Sequence, residues 1–161
     1  MSKGNKGGGG FSFRTAMIQM PLMVRESESG EAVNIRTPED IAGVCEDLRG
    51  LAQECFQVLC LNAKNQVLDR ILVSLGLVDA SLVHPREVFR GAIVAGACAL
   101  VLVHNHPSGD PTPSAEDVRV TRQLVQAGEI LDIKVLDHVV IGQTGVGGPG
   151  WYSMRENGFK F

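Results

Sequence analysis

Two histidines, His104 and His106, stand at the end of a strongly apolar run and have the spacing of neighbouring metal ligands. Alternate residues of a strand point to the same side, so a strand over 99–103 would direct both imidazoles toward one point. Asp117 follows eleven residues after His106, where a helix is predicted to begin. Two histidines and a carboxylate are three ligands of an open zinc site whose fourth position is left for water. The set predicts a Zn²⁺-dependent hydrolase.

These residues also have structural explanations. Ser114 and Asp117 form the Ser-x-x-Asp capping box that often begins a helix, and the carboxylate could be cap and ligand together. Asp110 is a rival third ligand, although its Ser-Gly-Asp-Pro context favours a turn. The two histidines could instead cap the sheet by bonding to loop backbone, but a metal would satisfy both imidazoles at once. For His138, a buried structural role is favoured over a role beside a metal or substrate.

A hydrolase of this kind also needs a proton acceptor. Zinc lowers the pKa of a bound water to about 7, and a nearby glutamate can take the proton and pass it to the leaving group. Glu54 stands just before a predicted strand, and Glu87 lies in the first turn of a predicted helix, where the helix dipole is a sufficient explanation for it. The residues themselves leave the choice between these two open.

Helices and strands alternate in the pattern expected of an α/β fold with a central sheet. Thr37 and Pro38 are typical of a helix start, and apolar residues then recur at helical spacing at Ile41, Val44, Leu48 and Leu51. Further helices are predicted from Pro85 to near Gly96 and from Ser114 to about Ala127, with Gly128 as the stop signal. Strands are predicted at 55–61, 66–75, 99–103, 133–136, 139–141 and 151–154, with a turn at 62–65 and a glycine-rich surface loop at 143–150.

The composition is that of one globular domain. The chain has 161 residues, 44% of them hydrophobic, and a net charge of −3. We predict a domain over 37–161, preceded by a flexible N-terminal tail and extended segment over 1–36, because residues 1–10 are rich in glycine. An acidic chain lacks the electrostatic signature of a non-specific DNA clamp. No apolar run reaches 18 residues, so no membrane partner is expected, and the protein is predicted to be cytoplasmic. The sequence is compatible with an oligomer.

The four cysteines have neither CxxC spacing nor the spacing of a disulfide scaffold. We therefore predict buried, reduced thiols. They are Cys45, Cys55, Cys60 and Cys98.

The motif residues resemble a known family. His-x-His, seven residues, Ser, two residues and Asp is the metal motif of the JAMM metalloproteases of the JAB/MPN type, and here it is formed by His104, His106, Ser114 and Asp117. The string His-Asn-His-Pro-Ser-Gly-Asp-Pro is similar to the RadC branch of that superfamily. Further matching stretches lie at 54–56, 83–89, 137–142 and 152–156. The resemblance extends from about residue 37 to residue 158.

The resemblance implies a mixed β-sheet with flanking helices, in the three-layer architecture shared with cytidine deaminases. It implies Zn²⁺ held by His104, His106 and Asp117. It places the catalytic glutamate just before the first core strand, which favours Glu54 over Glu87. It also implies that Ser114 hydrogen-bonds the metal-bound water or the developing oxyanion. Members of the family cleave peptide or isopeptide bonds, so the expected partner is a peptide or protein substrate.

A second hypothesis is a DNA-repair or mobile-element-associated protein that binds DNA or a protein partner, with zinc structural or activity lost. The resemblance to RadC proteins implies a longer chain, with an N-terminal helix-hairpin-helix region that would contact DNA. Residues 1–36 are too short and irregular to supply this region. A nucleobase deaminase is set aside because the His-x-Glu and Pro-Cys-x-x-Cys motifs are absent.

Overall fold

The computed structural model describes residues 32–76, 83–145 and 148–161. Within these ranges strands and helices alternate along the chain. Their bounds are α1 Pro38–Val44, a 3₁₀ turn Glu46–Leu48, β1 Cys55–Leu61, β2 Val67–Leu75, α2 Pro85–Val94, β3 Ala99–Asn105, α3 Ala115–Leu131, β4 Lys134–Ile141 and β5 Trp151–Ser153.

The described strands form one mixed sheet in the order β2-β1-β3-β4-β5. β1 pairs antiparallel with both β2 and β3, β3 pairs parallel with β4, and β4 pairs antiparallel with β5. The parallel connection from β3 to β4 runs through α3, as a parallel pair requires a crossover. The two central strands, β1 and β3, are buried along their whole length.

Each face of the sheet has its own core. Leu100 and Leu102 of β3 belong to a cluster that includes buried residues of α2 and α3, such as Phe89. The alternate residues Val101 and Val103 belong to a second cluster with α1. The two-residue period of the strand therefore separates the two cores. The predicted α/β fold, with a mixed sheet between flanking helices in three layers, is confirmed.

The helix predicted from Thr37 begins as expected but is shorter than the apolar spacing indicates. The Thr37 hydroxyl accepts the N–H of Asp40 and the Asp40 carboxylate accepts the N–H of Thr37. α1 then ends at Val44, a 3₁₀ turn carries the buried Leu48, and Leu51 is 38% exposed. The helical spacing of these apolar residues predicted one element where the chain forms two short ones.

The prediction that Gly128 stops the third helix is wrong. α3 continues to Leu131 and is followed by Asp132 in the left-handed conformation, with φ of 55°. A Cβ at Gly128 would lie 2.5 Å from the carbonyl oxygen of Ile133 and 3.3 Å from the ring of Phe89. Gly128 therefore serves close packing inside the helix and not a helix end.

Three further differences concern element ends and exposure. The two strands predicted at 133–136 and 139–141 form the single strand β4. α2 ends at Val94, before the predicted end near Gly96, and its penultimate residue Ile93 is 58% exposed. Cys98 is exposed, so its predicted burial is wrong, whereas the other three thiols are buried. Burial raises the pKa of both Cys45 and Cys60 to about 12.

Some predictions lie outside the described residues: the tail and extended segment over 1–31, and residues 146 and 147 of the glycine-rich loop. The division into a tail at 1–36 and a domain at 37–161 stays a prediction. No helix in the described ranges combines the length and apolar character needed to cross a membrane.

Candidate metal centre

His104, His106 and Asp117 converge at the end of β3. The two Nε2 atoms lie 2.9 Å apart. Oδ1 of Asp117 lies 3.3 Å from Nε2 of His104, and Oδ2 lies 3.3 Å from Nε2 of His106. Two ligands held about 2.0–2.1 Å from one tetrahedral zinc ion are separated by about 3.3 Å. The spacing of the three groups is therefore close to what one such ion needs.

Two elements and the loop between them position these side chains. His104 is the penultimate residue of β3 and fully buried, and Asp117 is the third residue of α3 and 4% exposed. The loop between them is joined to the end of β4, because the Gln143 N–H donates to the Gly109 carbonyl over 2.8 Å. A Cβ at Gly142 would collide with that same carbonyl and with Pro111. The absence of a side chain at Gly142 thus lets the histidine loop pack against the sheet.

The hydrogen bonds of His106 determine which of its ring nitrogens faces the site. Nδ1 lies 2.8 Å from the backbone carbonyl of Asp110. A carbonyl oxygen can only accept, so Nδ1 carries a proton and donates it. In the neutral ring, Nε2 then presents its lone pair toward His104 and Asp117.

A buried chain of hydrogen bonds sets the tautomer of His104 in the same way. The Thr121 hydroxyl donates to the carbonyl of Asp117 over 2.6 Å, so its oxygen accepts from Nδ1 of His138, also 2.6 Å away. Burial holds the pKa of His138 well below its usual value, and its ring is neutral. Nε2 of His138 must therefore accept from Nδ1 of His104 over 2.8 Å. Nε2 of His104 is left without a proton and points at the site.

The three groups thus face one another with their lone pairs, and among the described residues no hydrogen-bond donor lies between them. Two imidazole lone pairs 2.9 Å apart, beside a carboxylate, repel unless a proton or a cation lies between them. The His106 pKa follows this logic: burial alone would lower it, but the Asp117 carboxylate and the Asp110 carbonyl raise it. For Asp117, burial alone would raise the pKa, but the two histidines hold it far below its usual range. The chemistry of this donor set fits a divalent metal ion such as zinc.

Ser114 and Asp117 form the predicted capping box of α3. The Ser114 hydroxyl accepts the Asp117 N–H over 3.1 Å, and Oδ2 of Asp117 accepts the Ser114 N–H over 2.6 Å. The same hydroxyl donates to Oδ2 over 2.7 Å. Oδ2 is therefore held by the helix end, while Oδ1 faces His104. Cap and site geometry are served by one carboxylate, as the sequence suggested.

The remaining acidic candidates separate clearly. Asp110 is exposed, and its carboxylate accepts the N–H of Thr112, which is the predicted turn role. The Glu87 carboxylate forms ion pairs with Arg86 and Arg90 on α2. Glu54 directly precedes β1, whose start lies beside the end of β3. Its charge acts on His106 and contributes to the raised pKa of that ring.

The sequence interpretation of His138 as a buried structural residue is incomplete. His138 is fully buried, but it also bonds directly to His104. Thr121 was not singled out at all. Its position four residues after Asp117, on the same helix face, was the one available signal. The pairing of His138 with His104, to which Thr121 is linked through His138, depends on the parallel packing of β3 against β4, which no local pattern encodes.

Comparison with known proteins agrees with this geometry. The model of the RadC-like JAB domain matches residues 35–159. The chain belongs to the RadC-like JAB domain family. A UPF0758 protein of Caldanaerobacter subterraneus subsp. tengcongensis is 47% identical over 145 residues, which cover 89% of this chain and 60% of that protein. A UPF0758 protein of Desulforamulus reducens is 58% identical over 111 residues, which cover 68% of this chain and 49% of that protein.

A third relative, from Bacillus velezensis, is 46% identical over 145 residues and is also a UPF0758 protein. This RadC-like chain spans about half to three fifths of the length of the curated relatives that it matches. The family membership identified from the motif residues is confirmed.

Proposed function

We propose that this RadC-like JAB domain is a Zn²⁺-dependent hydrolase that cleaves peptide or isopeptide bonds. The observation that carries the proposal is the convergence of three electron-pair donors, from His104, His106 and Asp117, with hydrogen bonds that fix both imidazoles in the metal-binding tautomer. Outer partners that orient ligands in this way are typical of metal sites. A set with three protein ligands leaves a coordination position open, as catalytic zinc sites do.

The residues divide the work as follows. His104, His106 and Asp117 would hold the ion, which when bound supplies an activated water and a Lewis acid for the scissile carbonyl. Glu54 accepts a proton from the attacking water and delivers it to the leaving nitrogen. Ser114 orients Asp117 and, once the substrate is bound, can donate to the developing oxyanion.

A small cleft lies beside the site. It has a volume of about 90 Å³ and opens next to His106, between the stretch 50–52 that leads to Glu54 and the residues that follow β4, Gly142 and Gln143. The cleft combines apolar groups with backbone and side-chain polar groups, as ligand-binding sites do.

The test combines metal analysis with activity. The purified wild type, exchanged into zinc buffers of known free concentration, is expected to bind one zinc ion per chain, and His106→Ala to bind none at the same free zinc. A quenched-fluorescence peptide library then reports cleavage, which zinc chelation should abolish and zinc addition restore. Glu54→Gln is the matched variant, expected to keep zinc but lose cleavage.

Equal zinc binding by wild type and His106→Ala would overturn the site. Stoichiometric zinc without cleavage of any library peptide, or of isopeptide-linked substrates, would overturn the hydrolase.

A further inference from the structure

Asn105, the residue between the two histidines, carries no role in the mechanism above and yet is 2% exposed. It is the last residue of β3, so its side chain points to the face opposite that of His104. That face carries α1 and the segment leading from the 3₁₀ turn into β1. A buried amide must find hydrogen-bond partners, and the choice of partners shows what it is for.

All the partners of the Asn105 amide belong to the segment around Glu54. Oδ1 accepts the N–H of Cys55 over 2.8 Å. Nδ2 donates to the carbonyl of Gln53 over 3.1 Å and approaches the carbonyl of Leu51 at 3.5 Å. The residues immediately before and after Glu54 are thus both bonded to one side chain.

The strand register explains why these bonds matter. Phe56 of β1 lies opposite His104 of β3 in an antiparallel pair. Continued outward, the same register places Cys55 opposite Asn105 and Glu54 opposite His106. The paired register ends at Phe56 and His104, and beyond it the Cys55 N–H bonds to the Asn105 side chain. The Asn105 side chain therefore continues the connection between the two strands past the end of their ladder.

Toward β2, the backbone of Glu54 is held by a hydrogen bond to a neighbouring main-chain group. Its carbonyl accepts the N–H of Gly76, at the end of β2. This bond restrains the backbone of Glu54 toward the sheet edge but does not connect it to the histidine strand. Within the described residues, the side-chain hydrogen bonds that link the Glu54 segment to β3 all come from Asn105, which lies between His104 and His106.

We propose that Asn105 is a positioning residue that holds Glu54 at working distance from the metal ligands. The inference rests on the proposed hydrolase function and deepens it, because it makes the strand of the two ligands also set the place of the base. Asn105 touches neither the ion nor the substrate. A displacement of about 1 Å in a catalytic group can cost about 10²-fold in rate, so the loss of this clamp should be visible in turnover.

A double-mutant cycle tests the coupling. Asn105→Ala is expected to lower kcat about 10²-fold on the best library peptide, with KM and zinc affinity each changed by less than about 3-fold. In a Glu54→Ala background the same substitution should change the residual rate by less than about 2-fold, because the base it positions is gone. Asn105→Asp keeps the acceptor for Cys55 but loses the donor to Gln53, so it should give an intermediate rate.

Gln57→Ala is the matched control. Gln57 is another buried amide of the same strand pair. Its oxygen accepts from Arg70 and its nitrogen donates to Sγ of Cys55, so it does not hold the backbone on either side of Glu54. Loss of that amide should lower the free energy of unfolding without the kcat-specific effect. A full 10²-fold loss from Asn105→Ala in the Glu54→Ala background, or an equal loss of zinc affinity, would overturn the inference while leaving the hydrolase intact.

Amide hydrogen exchange gives a readout that does not depend on activity. Asn105→Ala should accelerate exchange at the Cys55 amide, which loses its acceptor, and leave the Val101 amide in the middle of β3 protected. Unchanged protection at Cys55 would overturn the clamp even in a protein that cleaves no peptide. Faster exchange at Cys55 in a protein that shows no zinc-dependent cleavage would support the clamp and contradict the proposed hydrolase function.

Discussion

α1 and α3 begin with the same four-residue device but lie in opposite surroundings. In α1, Thr37 and Asp40 exchange two hydrogen bonds, of 2.8 and 3.2 Å. In α3, Ser114 and Asp117 exchange the equivalent pair, of 2.6 and 3.1 Å. The Asp40 carboxylate also accepts the N–H of Arg36 near the surface. The Asp117 carboxylate is buried against two imidazoles.

The comparison shows that the capping box fixes where a carboxylate is held, while its neighbours decide what it does. A cap uses mainly one carboxylate oxygen, and in both helices that oxygen is Oδ2. The second oxygen is then free for a partner from another element. In α3 that partner is His104, which β3 brings to the helix end. Rigid attachment at a helix start is what a metal ligand needs.

Asp117→Asn against Asp40→Asn should give the largest difference. Asparagine can still accept in a capping box, so both helix starts should form. Loss of the charged oxygen at the metal centre should lower zinc affinity by more than about 10²-fold, since even the loss of an outer partner costs 10–100-fold. Asp40→Asn should leave zinc affinity unchanged. Competition with a chelating dye measures both. Equal affinities in the two variants would show that the α3 box is a cap and nothing more.

Thr121→Val removes a feature that α1 lacks. The residue four positions after the capping aspartate is Thr121 in α3 and Val44 in α1. Without the hydroxyl, His138 loses the acceptor for its Nδ1 proton, and the tautomer that orients His104 is no longer favoured. We expect zinc affinity to fall 10–100-fold, in the range of other outer partners. Val44→Thr is the matched reverse change and should not affect zinc. Wild-type zinc affinity in Thr121→Val would show that the hydrogen bonds from Thr121 through His138 to His104 do not contribute to metal binding.

Ser114→Ala and Thr37→Ala should cost similar stability and differ in function. Loss of an N-cap hydroxyl typically costs about 1 kcal/mol. Urea unfolding of the metal-free variants measures this term in each helix. Cleavage should fall in Ser114→Ala alone, because only that hydroxyl also bonds the oxygen of a metal-ligand candidate. Equal turnover in the two variants would contradict a catalytic contribution from Ser114.

The sequence carries the parts of this comparison that are local. Ser-x-x-Asp and Thr-Pro predicted the two helix starts, and the apolar run before His104 predicted the strand that carries it. The spacing of the histidines predicted that they meet, and their Nε2 atoms lie 2.9 Å apart. The family resemblance, and not spacing, favoured Glu54 over Glu87.

Contacts between distant parts of the chain were beyond the sequence. His138 meets His104 through strand pairing, and Asn105 meets the Glu54 segment through the opposite face of the same strand. Gly128 reads as a stop signal until the neighbouring carbonyl of Ile133 is in place. In each case the residue type left more than one role open, and tertiary packing selected among them.

The pH dependence of stability should differ between the two boxes on the alkaline side, although this effect is the smallest. Backbone N–H groups of Arg36 and Thr37 lower the pKa of Asp40, so its stabilisation exists above the unfolded pKa of about 3.9 and is lost as the pH falls. The lowered pKa of Asp117 acts in the same direction. The raised pKa of His106 acts oppositely: its stabilisation is full below an unfolded pKa of about 6.5 and is lost as the pH rises through the folded pKa.

In metal-free protein with EDTA present, the stability difference between wild type and Asp117→Asn should therefore shrink on the alkaline side, where His106 becomes neutral and the carboxylate loses its charged partner. The difference between wild type and Asp40→Asn should stay constant over the same range, because its capping partners are backbone groups that do not titrate. Denaturant unfolding from pH 3 to about 9 measures both. A difference for Asp117→Asn that persists unchanged to the alkaline end would mean that no charged histidine contributes in the metal-free state. A proton shared by the two imidazoles would then not take the place of the metal ion in the metal-free protein.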